Sequence, residues 1–343
     1  MKAAAIREHG EADCIYIEDL PEAEATEHEV LLEVKAAALN HLDLWVRRGG
    51  RIRLRMPHVL GSDAAGVVAQ AGPRASGVSE GQEVVLNPGL YCGQCEFCRR
   101  GENSLCPEYG IIGMVRPGTF AEYVCVPDYT LYPKPAHLSF EEAAALPLDH
   151  LTAWRMLITR AALSPGETVL IHGIGGGVAL AGLQIAKLTG AEVVVTSSSD
   201  EKLHRAHELG ADYGVNYRSE QVARRVREIT AGRGVDVIFD SVGATTWETN
   251  FATIRRGGRI VHCGVTGGDR AEVNMQALYW NQLNILGSTM GGREEFRRML
   301  EAVSAAKLKP VIDSVHPLEE VADATRRMES GEQFGKIVLT IGR

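Results

Sequence analysis

The chain has 343 residues, 45% hydrophobic and 23% charged, the make-up of an ordinary globular protein long enough for two hydrophobic cores. Its formal charge of −8 offers no electrostatic footprint for nucleic acid or for an anionic membrane surface. No apolar run reaches the roughly 20 residues that span a bilayer, and Met1–Glu8 lacks the apolar core of a secretory leader, so a cytoplasmic protein is expected.

Up to about residue 145, short β-like runs at 30–34, 65–69, 83–86 and 123–126 alternate with turn signals such as Gly72-Pro73, Pro88-Gly89 and Pro133-Lys134-Pro135. An irregular, mainly β domain is expected there. Within it, Cys92, Cys95, Cys98 and Cys106 bring four thiols into one short window, with Gly89, Gly93 and Gly101 allowing the loop to wrap. Four thiolates make a closed tetrahedral site suited to one structural Zn²⁺, in a lobe of about residues 89–107, and leave no position for substrate. Disulfides and an iron–sulfur cluster are the alternatives, although the spacing departs from the ferredoxin-type run. The other cysteines, Cys14, Cys125 and Cys263, are scattered, as expected of a metal site in a reducing compartment rather than a disulfide framework.

From Ser139 the texture changes. Ser139-Phe140-Glu141-Glu142 reads as a capping box before an Ala-rich helix. Apolar strands are predicted at 168–171, 192–196, 235–240, 259–263 and 283–286, with a shorter candidate at 213–216 and helical patterns at 200–209 and 220–230. Near-continuous apolar strands alternating with helices predict a parallel sheet covered on both faces. The run Thr168–Ile171 leads into His172-Gly173-Ile174-Gly175-Gly176-Gly177 and then a small-residue helical pattern: strand, tight turn, helix. Glycines there let backbone N–H groups approach a pyrophosphate, and the helix N-terminus adds partial positive charge. The spacing is not a strict G-x-G-x-x-G, because Val178 stands where the last glycine belongs, and such turns also occur in proteins that bind nothing. After Gly291-Gly292 an amphipathic helix is predicted at 294–307, and 334–340 reads as a strand returning to the first domain. The expected organisation is 1–147, an inserted dinucleotide-binding domain at 148–289, and a return at 290–343.

Glycine turn and cysteine lobe together resemble the medium-chain dehydrogenase/reductase superfamily of zinc alcohol dehydrogenases and quinone oxidoreductases. The likeness runs through 37–43, 57–68, the cysteine lobe, Leu151-Thr152-Ala153-Trp154, the glycine turn, Asp240-Ser241-Val242-Gly243, 285–288 and Gly335-Lys336-Ile337-Val338. It implies an α/β fold: a Rossmann doubly wound parallel-sheet domain inserted in a GroES-like, mainly β catalytic domain. Zinc alcohol dehydrogenases hold a catalytic zinc with a Cys, a His and a later Cys. Asn40, Ser62 and Leu148 stand at the matching positions, and none is a good zinc ligand. Asn40-x-x-Asp43 matches the quinone oxidoreductase branch, so the resemblance implies a structural zinc with no catalytic zinc. The competing arrangement is a displaced metal among His41, Asp43, His58, Asp63 and His150, with His58 otherwise a satisfied structural histidine.

The resemblance also places Gly173, Gly176, Gly177 and Val178 on the cofactor phosphates, with Ala179 small enough for helix–strand packing, and His41 on the pyrophosphate. Ser197 occupies the position where NAD-specific members carry a carboxylate for the ribose 2′-OH. Ser197, Ser198, Lys202 and Tyr217, with Arg218 beside it, are suited to a 2′-phosphate, so NADP(H) is favoured over NAD(H); Asp200 and Glu201 weigh against it. The same segment also reads as an ordinary helix cap. Val242, Cys263, Gly264, Ser288, Met290 and Lys336 complete the expected cofactor contacts. Asn40, Asp43, His150 and Thr152 are the expected catalytic residues, with the Asn40 amide or Thr152 hydroxyl stabilising developing charge and His150 as proton donor. Tyr91, Tyr279, Trp280 and Met290 read as an apolar pocket or as core and interface residues. The expected activity is hydride transfer from NADPH to a quinone, enone, aldehyde or similarly activated carbonyl. An NAD(P)-dependent alcohol dehydrogenase and a non-catalytic NADPH-binding protein are the alternatives. A homodimer or homotetramer is implied, with no nucleic-acid or membrane partner.

Overall fold

The computed structural model describes residues 1–22, 24–49 and 53–342. In chain order, β1 (Lys2–Ile6), β2 (Ile15–Asp19) and β3 (Glu29–Ala38) precede α1 (His41–Arg48), β4 (His58–Val59) and β5 (Asp63–Ala71). Then come β6 (Glu83–Leu86), β7 (Gly89–Leu90), α2 (Glu96–Arg99), β8 (Gly110–Ile111), β9 (Tyr123–Pro127), β10 (Leu131–Pro133) and α3 (Phe140–Ala144). After α4 (Pro147–Trp154), strands and helices alternate: β11 (Thr168–Ile171), α5 (Gly177–Leu188), β12 (Glu192–Ser197), α6 (Asp200–Glu208), β13 (Tyr213–Asn216) and α7 (Val222–Ile229). The alternation continues with β14 (Val235–Asp240), α8 (Trp247–Thr253), β15 (Ile254–His262), α9 (Met275–Trp280) and β16 (Asn284–Gly287). The chain closes with α10 (Arg293–Ala306), β17 (Ile312–Pro317), α11 (Val321–Ser330) and β18 (Lys336–Thr340). Two compact units result, one of Met1–Leu151 with Gly291–Arg343 and one of Thr152–Met290.

In the first unit β3 is the central strand. It alternates buried and half-buried residues as far as Lys35, and Ala36, Ala37 and Ala38 then bury both faces where neighbours crowd in. β5, β9 and β18 all pair with it antiparallel, in a sheet ordered β10-β6-β5-β3-β18-β17 with β9 beside β3. The register sets Ala38 opposite Asp63 and Val338 opposite Ala38. Three strand ends therefore meet at one place, carrying Asn40, Asp63 and Lys336.

The second unit is a six-stranded sheet ordered β13-β12-β11-β14-β15-β16, parallel throughout. Numbered within the unit that order is 3-2-1-4-5-6, and the order in which strands are laid down reverses across the β11/β14 boundary, where open α/β sheets bind ligands. β14 is buried along its whole length. α5 lies close because its inward residues are small: a Cβ added to Gly182 would stand 3.0 Å from the Phe239 ring. The predicted strand at 259–263 begins earlier, at Ile254, which pairs with Val235 across an irregularity in the register, and the helix at 220–230 is shorter, spanning Val222–Ile229. Among the described residues no helix is long and apolar enough to cross a membrane.

Candidate functional site

The cysteine lobe folds as its spacing requires. Gly93 and Gly101 take φ of +74° and +80°, a region that a side chain would strain, and they turn the loop around the sulfurs. Cys92, Cys95, Cys98 and Cys106 bring their Sγ atoms within 4.8 Å of one another. The Cys92 and Cys106 sulfurs are 3.6 Å apart, close to the separation of about 3.8 Å that a tetrahedron of Zn–S bonds imposes. Backbone N–H groups of Cys95 and Cys98 point at the sulfurs of Cys92 and Cys95, at 3.4 and 3.5 Å, which favours thiolates. The donor set fits a structural Zn²⁺.

Where the three strand ends meet, a buried polar cluster forms. The Lys336 ammonium donates to Asn40 Oδ1 (2.7 Å) and is paired with Asp63 Oδ2 (3.2 Å) and Asp149 Oδ2 (3.0 Å). An ammonium has three protons, and three acceptors take them. Burial opposes its charge, yet Asp149 and Asp63 more than offset that and raise its pKa. Asn40 Nδ2 donates to Asp63 Oδ2 at 2.9 Å, and the Leu148 N–H donates to Asp63 Oδ1 at 2.9 Å. Asp43 closes a capping box at the start of α1, accepting from Asn40 N (2.7 Å), and also accepts from Gly61 N (3.2 Å). Burial, with the neighbouring Asp63, pushes the Asp43 carboxyl up to about 7.

Two expectations change here. The Asn40 amide, read as a donor to substrate, spends its protons on Asp63 and, at 3.4 Å, on the Ala38 carbonyl. Lys336, read as a cofactor contact, is 4% exposed and saturated by its three partners. Both are internal struts. Asp63 and Asp149, which hold this cluster together, had no such role assigned from sequence; the buried ends of β5 and α4 are where a charged residue would have signalled it. His150 is also buried, His41 is exposed on the first turn of α1, and His58 accepts the structural reading, with Nε2 2.9 Å from the Gly113 carbonyl oxygen.

In the second unit the predicted cofactor residues gather at the carboxyl ends of the strands. Gly173 and Gly175 adopt φ of +68° and +125°, and α5 starts immediately after Gly176. A Cβ added to Gly176 would meet nothing within 4 Å, whereas one on Gly173 would stand 3.4 Å from Val242 Cγ2, so the turn after β11 abuts the loop after β14. Gly264 is obligatory, because a Cβ would come within 2.2 Å of the Ser241 carbonyl oxygen. The Cys263 N–H donates to Asp240 O at 3.1 Å and the Ser288 N–H to His262 O at 2.9 Å, which brings the loops after β15 and β16 to the same edge. Ser197 ends β12; its carbonyl accepts the Tyr217 N–H at 3.0 Å, and Tyr217 is 52% exposed. Asp200 accepts from Asn216 Nδ2 at 2.7 Å, and Ser199 caps α6 through Lys202 N. Thr152 Oγ1 lies 3.6 Å from Met290 Sδ, so the first and last residues of this unit meet. Tyr279 and Trp280 are both 66% exposed, and Tyr91 packs on Tyr129 at 4.8 Å.

Comparison with known proteins agrees with this architecture. An alcohol dehydrogenase GroES-like domain matches residues 26–136, and a zinc-binding dehydrogenase domain matches 177–305. The NAD-dependent alcohol dehydrogenase of Sulfolobus acidocaldarius is 34% identical, covering 99% of this chain and 100% of its own length. The chain belongs to the medium-chain dehydrogenase/reductase superfamily. It is similar also to human quinone oxidoreductase, 28% identical over 99% of this chain and 98% of that one. A crystal structure of an NAD-dependent alcohol dehydrogenase superposes with a TM-score of 0.96 at 46% identity, covering 100% of both chains.

As a medium-chain dehydrogenase/reductase the protein is a nicotinamide-dependent oxidoreductase of the alcohol dehydrogenase or quinone oxidoreductase type. Of the three positions compared above with zinc ligands, Asn40 and Leu148 are bonded into the buried cluster and Ser62 is bonded outside it. Asn40 is bonded to Asp63 and Lys336, the Leu148 N–H donates to Asp63, and Ser62 Oγ donates to the Ile112 carbonyl at 2.8 Å.

Proposed function

We propose that this protein transfers hydride from NADPH to a quinone, enone or activated carbonyl without a catalytic zinc. The observation that carries the reading is the chemistry at Asn40, Ser62 and Leu148: an amide, a hydroxyl and an alkyl group, each held by the surrounding fold, with the Lys336 ammonium supplying positive charge to the adjacent carboxylates. Bound NADPH would supply the hydride. Thr152 and His150 are the side chains assigned to hydrogen-bond the developing oxyanion and to return a proton, while Asn40 and Asp43 position their neighbours. NADPH is preferred over NADH because Ser197 ends β12 without a carboxylate, Asp200 is engaged by Asn216, and Tyr217 and Arg218 stand beside the strand end.

An NAD-dependent alcohol dehydrogenase is the second reading, favoured by the names of the relatives at 34% and 46% identity. The deciding experiment is an oxidation screen of NADPH and NADH over quinones, enones and aldehydes, run beside simple alcohols with NAD(P)⁺ on protein of measured zinc content. One zinc per chain with NADPH turnover supports the proposal. Two zincs per chain, with alcohol oxidation lost on chelating one, would sink it. Tight NADPH binding with no turnover would leave a binding protein. The four-thiolate lobe suits the reducing cytoplasm. Homo-oligomerisation is proposed through the second unit, where β16 is an edge strand with Ile285, Tyr279 and Trp280 exposed. Light scattering of the full chain against a Trp280→Glu variant tests it.

A further inference from the structure

His172, the last residue before the glycine turn, has no part in the proposed chemistry, yet it is only 3% exposed at the end of β11. Its three polar neighbours are buried more completely: Thr196 at the end of β12, Asn250 on α8 and Asp240 at the end of β14. His172 Nε2 lies 2.8 Å from Asn250 Oδ1, and Asn250 Nδ2 donates to Asp240 Oδ2 at 2.5 Å. On the other side, His172 Nδ1 lies 3.4 Å from Thr196 Oγ1, which accepts the Gly173 N–H at 3.2 Å.

The direction of every link follows from one end. A carboxylate only accepts, so Asn250 turns its N–H to Asp240 and its oxygen to His172. Nε2 must then carry the imidazole proton, which leaves the Nδ1 lone pair to accept the Thr196 hydroxyl. That tautomer is the neutral ring, and burial lowers the His172 pKa against the opposing pull of Asp240 and Asn250. At its far end Asp240 Oδ1 accepts from Val242 N (2.8 Å) and Gly243 N (3.0 Å), and Thr246 Oγ1 donates to Oδ2 (2.8 Å). The chain thus begins at the glycine turn and ends in the loop that carries Val242.

We propose that His172 is a positioning residue for the dinucleotide, the central link of a one-way hydrogen-bond chain that ties together the carboxyl ends of β12, β11 and β14. The inference rests on assigning the nicotinamide cofactor to that edge. The sheet order places these three strands side by side across the β11/β14 boundary; Ser197 ends β12, and the loops after β11 and β14 carry Gly173 and Val242. Apolar packing holds strand centres in register but leaves strand ends free to splay, and a phosphate grips only a turn that is already in place. His172 fixes the spacing between the turn and the Val242 loop before ligand arrives.

The test is titration of the full chain with NADPH, followed by nucleotide fluorescence, together with thermal unfolding of the apo protein. His172→Phe removes donor and acceptor and should weaken NADPH binding about tenfold or more, whereas His172→Gln, whose amide offers both, should stay within about threefold of wild type. An excluded osmolyte that restores the apo thermal stability of His172→Phe to the wild-type value should not restore its NADPH affinity. Affinity returning in step with stability would make the chain merely structural and overturn the proposal, as would wild-type affinity in His172→Phe. If His172→Phe does not fold, Thr196→Val opens the chain at its other end; weaker binding supports the proposal and unchanged binding overturns it. A wild-type chain that binds neither NADPH nor NADH removes the cofactor assignment itself, a failure seen before any variant is made.

Discussion

Each unit buries a polar cluster beside its candidate site, and the two clusters are built on opposite principles. In the first unit the cluster is ionic: Lys336 against Asp63 and Asp149, with Asn40 between them. In the second it is a neutral relay, His172 and Asn250, with one carboxylate at the end. A buried ammonium is tolerable only when its charge and all three protons are matched, so the ionic cluster is stoichiometric and losing one member strands the others. A neutral relay carries less at stake per link, and its single carboxylate specifies direction rather than charge balance. The ionic cluster takes in Asn40 and the Leu148 N–H, and the relay lies at the end of β11, directly before the glycine turn.

Breaking the ionic cluster should have the largest effect. Lys336→Met leaves two buried carboxylates without their cation and is expected to cost about 3–5 kcal/mol in equilibrium urea unfolding. A loss below about 1 kcal/mol would mean the cluster is wet and its charges screened.

Asp43 sharpens the comparison through pH. Its carboxyl is pushed up to about 7 in the folded chain, so the folded state holds a proton that the unfolded state releases near pH 4. The associated stability is present below about pH 4 and is lost as pH rises towards about 7, with about one proton involved. Unfolding measured across that window should show this slope in the wild type and not in Asp43→Asn.

The neutral relay should break more gently. His172→Phe leaves the Asn250 oxygen without its donor, at a cost of about 1–3 kcal/mol in thermal or urea unfolding. A loss as large as that of Lys336→Met would erase the distinction between the clusters. The smallest change is expected at Ser197, where Asp would repel a 2′-phosphate without disturbing either cluster. Ser197→Asp should shift the NADPH-to-NADH ratio of kcat/KM towards NADH by about tenfold, with unfolding unchanged.

Sequence reasoning reached the strands of the parallel sheet closely, because buried parallel strands are continuous apolar runs and their glycine punctuation is local: β11, β13 and β14 coincide with the predicted spans. The capping box at Ser139 and the zinc lobe were equally readable, since both depend on residues close together in the chain. What side chains do at a distance was not. Asn40 looked like a donor to substrate until Asp63 and Lys336, far along the chain from it, proved to consume its hydrogen bonds.

The sequence by itself therefore determined the fold class, the metal lobe and the position of the glycine turn, each through short-range spacing of apolar, thiol or glycine residues. Only the tertiary structure decided which polar residues are struts and which face a ligand. That depends on strand register: Ala38 opposite Asp63 and opposite Val338 is what closes the Lys336 cluster, and β12, β11 and β14 side by side are what let one imidazole reach both neighbours. The buried-face pattern of each strand constrains register, but which strands are neighbours, and so which residues stand opposite one another, is settled only when the whole sheet packs.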